Sequence, residues 1–216
     1  MIDTILFDLD GTLTDTLEDL TDSVNFALTK NGLSPRSTGE VRSFVGNGIK
    51  KLIDLSVPQG TDEAKTAKCL EDFKSHYAVH CNDKTKPYPG IPEIIDFLSD
   101  NGYKTAVVTN KIQSSALNIV KTHFGKRIET VIGNRDNLNR KPSPDGVFLA
   151  LKELNSNPEN AVFVGDSDID CITAKNAGIK CIGVTWGFRS EEVLRQSGAD
   201  YIAHSAEELE KTITLN

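Results

Sequence analysis

Short apolar runs rich in β-branched residues recur along the chain at Thr4–Phe7, Lys104–Thr109, Glu129–Ile132, Ala161–Val164, Lys180–Thr185 and, more weakly, Tyr201–Ala203. Their near-continuous apolar character predicts strands buried on both faces of a parallel sheet. Amphipathic segments lie between them. Ile91, Ile94, Ile95 and Leu98 share one helical face. Ser143-Pro144 reads as an N-cap followed by a first-turn proline, with Val147, Leu151 and Leu154 continuing the stripe. This alternation, from residue 88 onward, predicts an α/β fold with a Rossmann-like, doubly wound parallel sheet.

Residues 15–84 break the rhythm. After the first strand no second one is expected for about ninety residues, far more than a single crossover needs. The stretch carries helical periods instead: Leu20, Val24, Ala27 and Leu28 on one face, Ile49, Leu52 and Ile53 on another, and a third segment over Ala64–Val79. The expected organisation is a core of residues 1–14 and 85–216 with a small all-helical cap inserted at 15–84. Leu13–Thr16 and Lys86–Gly90 would be the linkers, so that the cap can move over a site on the core.

Composition narrows the function classes without naming one. In 216 residues, 38% are hydrophobic and 25% charged, values of an ordinary globular chain. The net charge is −7, and no run of Lys and Arg offers a face for nucleic acid. Cys69, Cys81, Cys171 and Cys181 form no C-x-x-C pair and read as reduced, buried thiols, which suits a cytoplasmic protein. The N-terminal run is cut by two aspartates, so neither a signal peptide nor an anchor is expected. Nor does any stretch reach the roughly 18 apolar residues of a membrane span. Monomer and homodimer remain equally open.

The candidate chemistry sits where the predicted strands end. Asp8-Leu9-Asp10-Gly11-Thr12 follows the first strand, and ligands of open α/β sheets collect beyond the carboxyl ends of strands. Two carboxylates there are costly to bury without a compensating cation. Mg2+, hard and content with one or two carboxylates plus a phosphate, is the natural partner. Thr109 and Asn110 put a hydroxyl and an amide at another strand tip, both able to bind a phosphoryl oxygen. Lys141 precedes the Ser143-Pro144 helix start, and Gly165-Asp166-Ser167-Asp168-Ile169-Asp170 adds three acids after a further strand. Each group alone has an ordinary explanation, as a cap, a turn or a surface charge. Their arrival in order at successive strand tips does not.

The constellation DLDGT at 8–12, VTN at 108–110, KPSP at 141–144 and GDSDID at 165–170 strongly resembles the haloacid dehalogenase superfamily in its phosphatase branch. Gly183–Arg189, Ala199–Ile202 and the glycine-rich Val45–Lys51 are similar to the phosphoglycolate phosphatase subgroup. The resemblance implies that Asp8 is the nucleophile, forming an aspartyl-phosphate that splits hydrolysis into two steps. It implies Mg2+ held by Asp8, the backbone carbonyl of Asp10 and Asp166, with Asp170 holding a water on the metal from outside that set. Asp10 would protonate the leaving oxygen and then deprotonate water. Thr109 and Lys141 would bind the phosphoryl oxygens, with Asn110 beside them. In the cap, Gly46, Asn47 and Lys50 would face the substrate, although Gly46-Asn47-Gly48 is equally well a turn between helices. The expected partner is a small phosphorylated metabolite, with 2-phosphoglycolate favoured; Lys50, Lys51 or Arg189 would meet its carboxylate.

Rival readings stay open at this point. A β-phosphoglucomutase-like phosphomutase and a pyrophosphatase share the fold. A phospho-receiving signalling domain shares the sheet, but needs neither the acid at Asp10 nor a lid. His76 and His80, four apart on a predicted helix, supply only half a zinc site.

Overall fold

The computed structural model describes residues 2–215. The first apolar run forms β1 (Thr4–Phe7), buried at all four positions. After it come a two-residue strand, β2 (Thr14–Asp15), and four helices: α1 (Leu17–Lys30), α2 (Thr38–Phe44), α3 (Gly48–Ser56) and α4 (Glu63–His80). A second two-residue strand, β3 (Lys86–Pro87), returns the chain. From there helices and strands alternate through α5 (Ile91–Asp100), β4 (Lys104–Ile112), α6 (Gln113–His123), β5 (Thr130–Asn134) and α7 (Asp145–Glu153). They continue with β6 (Ala161–Gly165), α8 (Asp168–Ala177), β7 (Lys180–Val184), α9 (Glu191–Gln196), β8 (Tyr201–Ala203) and α10 (Ala206–Thr214). The chain divides into two compact units, one of residues 1–15 and 87–216, the other of residues 16–86.

In the first unit six parallel strands lie in the order β5-β4-β1-β6-β7-β8. The chain runs outward from β1 to β5 and then crosses back to β6, so the strand order reverses between β1 and β6. That reversal opens the crevice in which such sheets bind ligands. Side chains alternate across the sheet. Ile5, Phe7, Val107, Val162, Val164 and Ile182 pack under α5, α6 and α10, whereas Leu6, Ala106, Val108, Phe163 and Cys181 pack under α7, α8 and α9. With both faces covered, β1 reads as an unbroken apolar run rather than an alternating one. Fully burying each of its large side chains contributes about 1.5–3 kcal/mol relative to exposure.

The second unit is a helical bundle. Leu20, Val24, Ala27 and Leu28 of α1 are buried, as are Cys69, Phe73 and Tyr77 of α4, whose two rings stack at 5.3 Å. Asp19, nearly inaccessible at 2%, accepts hydrogen bonds from the Lys84 and Thr85 amides and from Thr85 Oγ1 at 2.8–3.1 Å. The start of α1 is thereby tied to the returning chain.

Three local expectations change. Periodicity predicts no helix over Thr38–Phe44, because α2 buries only Val41. A capping box builds it instead: Ser37 Oγ accepts the Glu40 amide and the Glu40 carboxylate accepts the Ser37 amide. Second, the stretches read as linkers contain β2 and β3, which form a two-stranded sheet. Two residues are too few to leave a hydrophobic period. Third, α7 begins at Asp145 with Pro144 in the cap position, one residue later than the serine cap predicts. Among the described residues, no helix is long and apolar enough to cross a membrane.

Candidate active site

The DLDGT segment leaves β1 in a tight loop. Leu9 O accepts amide hydrogens from Thr12, Leu13 and Thr14, while the Trp186 indole donates to Thr12 O at 3.0 Å. Gly11 adopts φ +92°, and a Cβ there would collide with the Asp166 carboxylate. A Cβ on Gly187 would fall within the Asp166 side chain as well. These two glycines thus let backbone close in around one acid.

Register brings the strand tips together. Phe7 is level with Val107 on one side and with Val164 on the other. Asp8, Thr109 and Asp166 therefore emerge from adjacent strands at the same end of the sheet. The carboxylates of Asp8, Asp166 and Asp170 each place an oxygen within 4.8 Å of the others. Lys141 Nζ stands among them, 2.8 Å from Asp8 Oδ1 and 2.6 Å from Asp170 Oδ1, and 5.3 Å above the Phe163 ring. Asp8 Oδ1 is buried, with the Lys141 ammonium as its close charged partner. The other acids are held more firmly. Asp166 accepts from Thr12 Oγ1 at 2.9 Å and from the Phe188 amide at 2.8 Å. Asp170 Oδ2 accepts from the Ser167 amide and hydroxyl in the capping box of α8.

Burial sets the electrostatics. It raises the Asp8 pKa from 3.8 to about 6, Lys141 opposing and Asp170 adding to the effect. Burial also pushes Asp166 well above the usual carboxylate range, with Asp170 and Asp8 reinforcing it. Burial by itself would lower Lys141, but Asp170 and Asp8 outweigh it and hold the ammonium charged. With one lysine among three buried carboxylates, the fully ionised form of this pocket needs a further cation. That donor set fits a hard divalent cation.

Asp10 lies apart from this cluster. Its carboxylate accepts from Lys111 Nζ at 2.7 Å, with the lysine side chain 2% exposed. Thr109 is buried, and its hydroxyl accepts the Lys111 amide at 3.3 Å. Asn110 Nδ2 donates to Lys141 O at 3.1 Å, so this amide supports the lysine loop. Gly46, Asn47 and Lys50 belong to the helical unit. Gly46 and Asn47 form the turn between α2 and α3, while exposed Lys50 pairs with Asp54 at 2.9 Å within α3. Lys51 is exposed, and Arg189 Nε lies 3.4 Å from Asp168. His76 stacks on Phe26 and on His80, and His80 Nδ1 meets Asp83. Sequence reasoning missed Lys111, Thr12 and Ser167. Lys111 follows Thr109-Asn110 directly, and a second lysine beside the strand tips was the available signal.

Comparison with known proteins places the chain in a family. Residues 5–184 match the haloacid dehalogenase-like hydrolase family. The chain is 33% identical to a phosphoglycolate phosphatase of Mesorhizobium japonicum, over 93% of this chain and 90% of that one. It is also 33% identical to one from Aquifex aeolicus, over 85% of both. A crystal structure from Lactobacillus delbrueckii subsp. bulgaricus, to which phosphoglycolate phosphatase activity is ascribed, superposes with a TM-score of 0.92 at 32% identity over 98% of both chains. The CbbY protein of Rhodobacter sphaeroides, solved with phosphate, gives 0.76 at 29% identity over 97% of this chain and 96% of that one. The chain belongs to the haloacid dehalogenase-like hydrolase family and is a phosphatase of the phosphoglycolate phosphatase-like kind.

Proposed function

We propose that this phosphatase is Mg2+-dependent, works through a phosphorylated Asp8, and takes 2-phosphoglycolate as its substrate. The observation that carries the reading is the buried Asp8 carboxylate at the tip of β1, facing Lys141 and two further acids. The substrate comes from the relatives' activities, since phosphoglycolate phosphatases recur among them. The helical unit of residues 16–86 would act as the cap.

Asp8 attacks phosphorus, the ester P–O bond breaks, and Asp10 gives its proton to the departing oxygen. Water then attacks the acyl phosphate while Asp10 takes up a proton, releasing inorganic phosphate and restoring Asp8. Such proton transfers typically contribute ~10²–10⁴ in rate. Thr109 and Lys141 bind the phosphoryl oxygens, with Asn110 fixing the lysine loop from behind. Mg2+, held by Asp8, Asp166 and the Asp10 carbonyl with Asp170 alongside, would neutralise charge between nucleophile and phosphate. Lys50, Lys51 or Arg189 would meet the substrate carboxylate.

The test is phosphate release from 2-phosphoglycolate, pyrophosphate and β-glucose 1-phosphate, with and without Mg2+, in the parent and in Asp8→Asn. Mg2+-dependent release that disappears in Asp8→Asn, ranked highest for 2-phosphoglycolate, supports the reading. Isomerised sugar phosphate without release would make the chain a phosphomutase. Unchanged kcat/KM in both Lys50→Ala and Arg189→Ala would exclude these two as carboxylate ligands.

A further inference from the structure

Four carboxylates, those of Asp8, Asp10, Asp166 and Asp170, share one end of the sheet with two buried lysines. The lysines take three of them. Lys141 takes Asp8 and Asp170, whereas Lys111 takes Asp10 at 2.7 Å. A lysine side chain only 2% exposed is unusual and persists only when its charge is compensated. The pair spans 101 residues of sequence, so the alignment of β1 with β4 creates it. Asp8, Asp166 and Asp170 form the only metal-competent group among the described residues, and Asp10 is not in it.

From this segregation we infer that Lys111 is a positioning residue, holding the Asp10 carboxylate out of the metal-competent cluster and in one orientation for proton transfer. The inference rests on Asp10 being the acid–base group. A divalent cation accepts any carboxylate in reach, and Asp10 stands only two residues from Asp8. A carboxylate captured as a ligand cannot exchange protons with the leaving oxygen. Lys111 prevents that capture, and a carboxylate held in place in advance also spends less freedom on reaching the reactive geometry. The plain alternative is a stabilising ion pair with no bearing on turnover.

A double-mutant cycle separates them, using Lys111→Met, Asp10→Asn and the two combined, with Lys111→Arg as the conservative control. Kinetics are measured at saturating Mg2+ with whichever ester the parent hydrolyses best. Lys111→Met is expected to lower kcat by about tenfold or more, with KM within about twofold. In the Asp10→Asn background the same change should alter kcat less than about twofold, and Lys111→Arg should recover part of the loss. Thermal unfolding without metal gives a readout independent of turnover: each neutralised single variant melts earlier than the double, in which no buried charge is left alone. A raised KM, an equal loss in both backgrounds, or an unchanged kcat in Lys111→Met overturns the inference. Full activity in Asp10→Asn overturns the acid–base reading and this role with it, while the thermal coupling would remain. If Lys111→Met fails to fold, Lys111→Arg and the double variant carry the test.

Discussion

Lys141 Nζ lies 2.8 Å from Asp8 Oδ1 and 2.6 Å from Asp170 Oδ1, so one buried ammonium is shared by two acids from different strand tips. Lys141→Met would leave three buried carboxylates without a cation. Breaking such a pair from one side costs about 3–5 kcal/mol. The variant should therefore melt well below the parent in a chelator, recover partly when Mg2+ is added, and lose at least about a hundredfold in kcat/KM. Thermal unfolding with and without Mg2+, beside a rate assay, checks both.

The raised Asp8 pKa gives a pH dependence with a definite sign. A carboxyl bound more tightly by its proton in the folded state contributes stability below its unfolded value of 3.8 and loses it as pH rises through about 6. The metal-free protein should lose stability across that window, and added Mg2+ should raise the melting temperature mainly above it. Because bound Mg2+ favours the ionised carboxylate, the Mg2+ concentration needed for half-activation should rise as pH falls through about 6. Melting curves in chelator that stay flat across this range would contradict the assignment.

Gly187→Ala tests the packing around Asp166. The added methyl would occupy the space of that side chain and of Gly11 O. Overpacking of this kind costs about 1–3 kcal/mol. Because the displaced group belongs to the proposed metal set, the Mg2+ concentration for half-activation should rise by about tenfold or more. A metal titration of the rate, paired with denaturant unfolding, measures both effects.

Asp19→Ala probes the helical unit independently. It removes the acceptor of the Lys84 and Thr85 amides and of the Thr85 hydroxyl. Leaving such buried donors unpaired costs about 1–3 kcal/mol. Hydrogen exchange should quicken at Lys84 and Thr85 while amides of β1 and β6 keep their protection.

How much was legible depended on how local each determinant was. Thr4–Phe7 and Ala161–Val164 announce themselves because a strand covered on both faces leaves a continuous apolar run. The helical faces at Leu20–Leu28 and Ile91–Leu98 are visible because burial selects one stripe. Asp8, Asp166 and Lys141 stand out for a similar reason, each next to the end of a predicted strand or the start of a predicted helix. By contrast α2 rests on a capping box rather than a stripe, and β2 and β3 are too short for any period.

Composition and periodicity therefore determined the strands, the helical insertion and the set of groups offered at the strand tips. Only the tertiary structure decided which acid meets which lysine. Lys111 and Asp10 are 101 residues apart, and Lys141 and Asp170 are 29 apart; the first contact follows from the alignment of β1 with β4, the second from the loop before α7 meeting the start of α8. The division of Asp8, Asp10 and Asp170 between two cations is likewise a property of burial. In water each would be solvated separately, and only a shared dry pocket makes their pairing and their pKa values depend on one another.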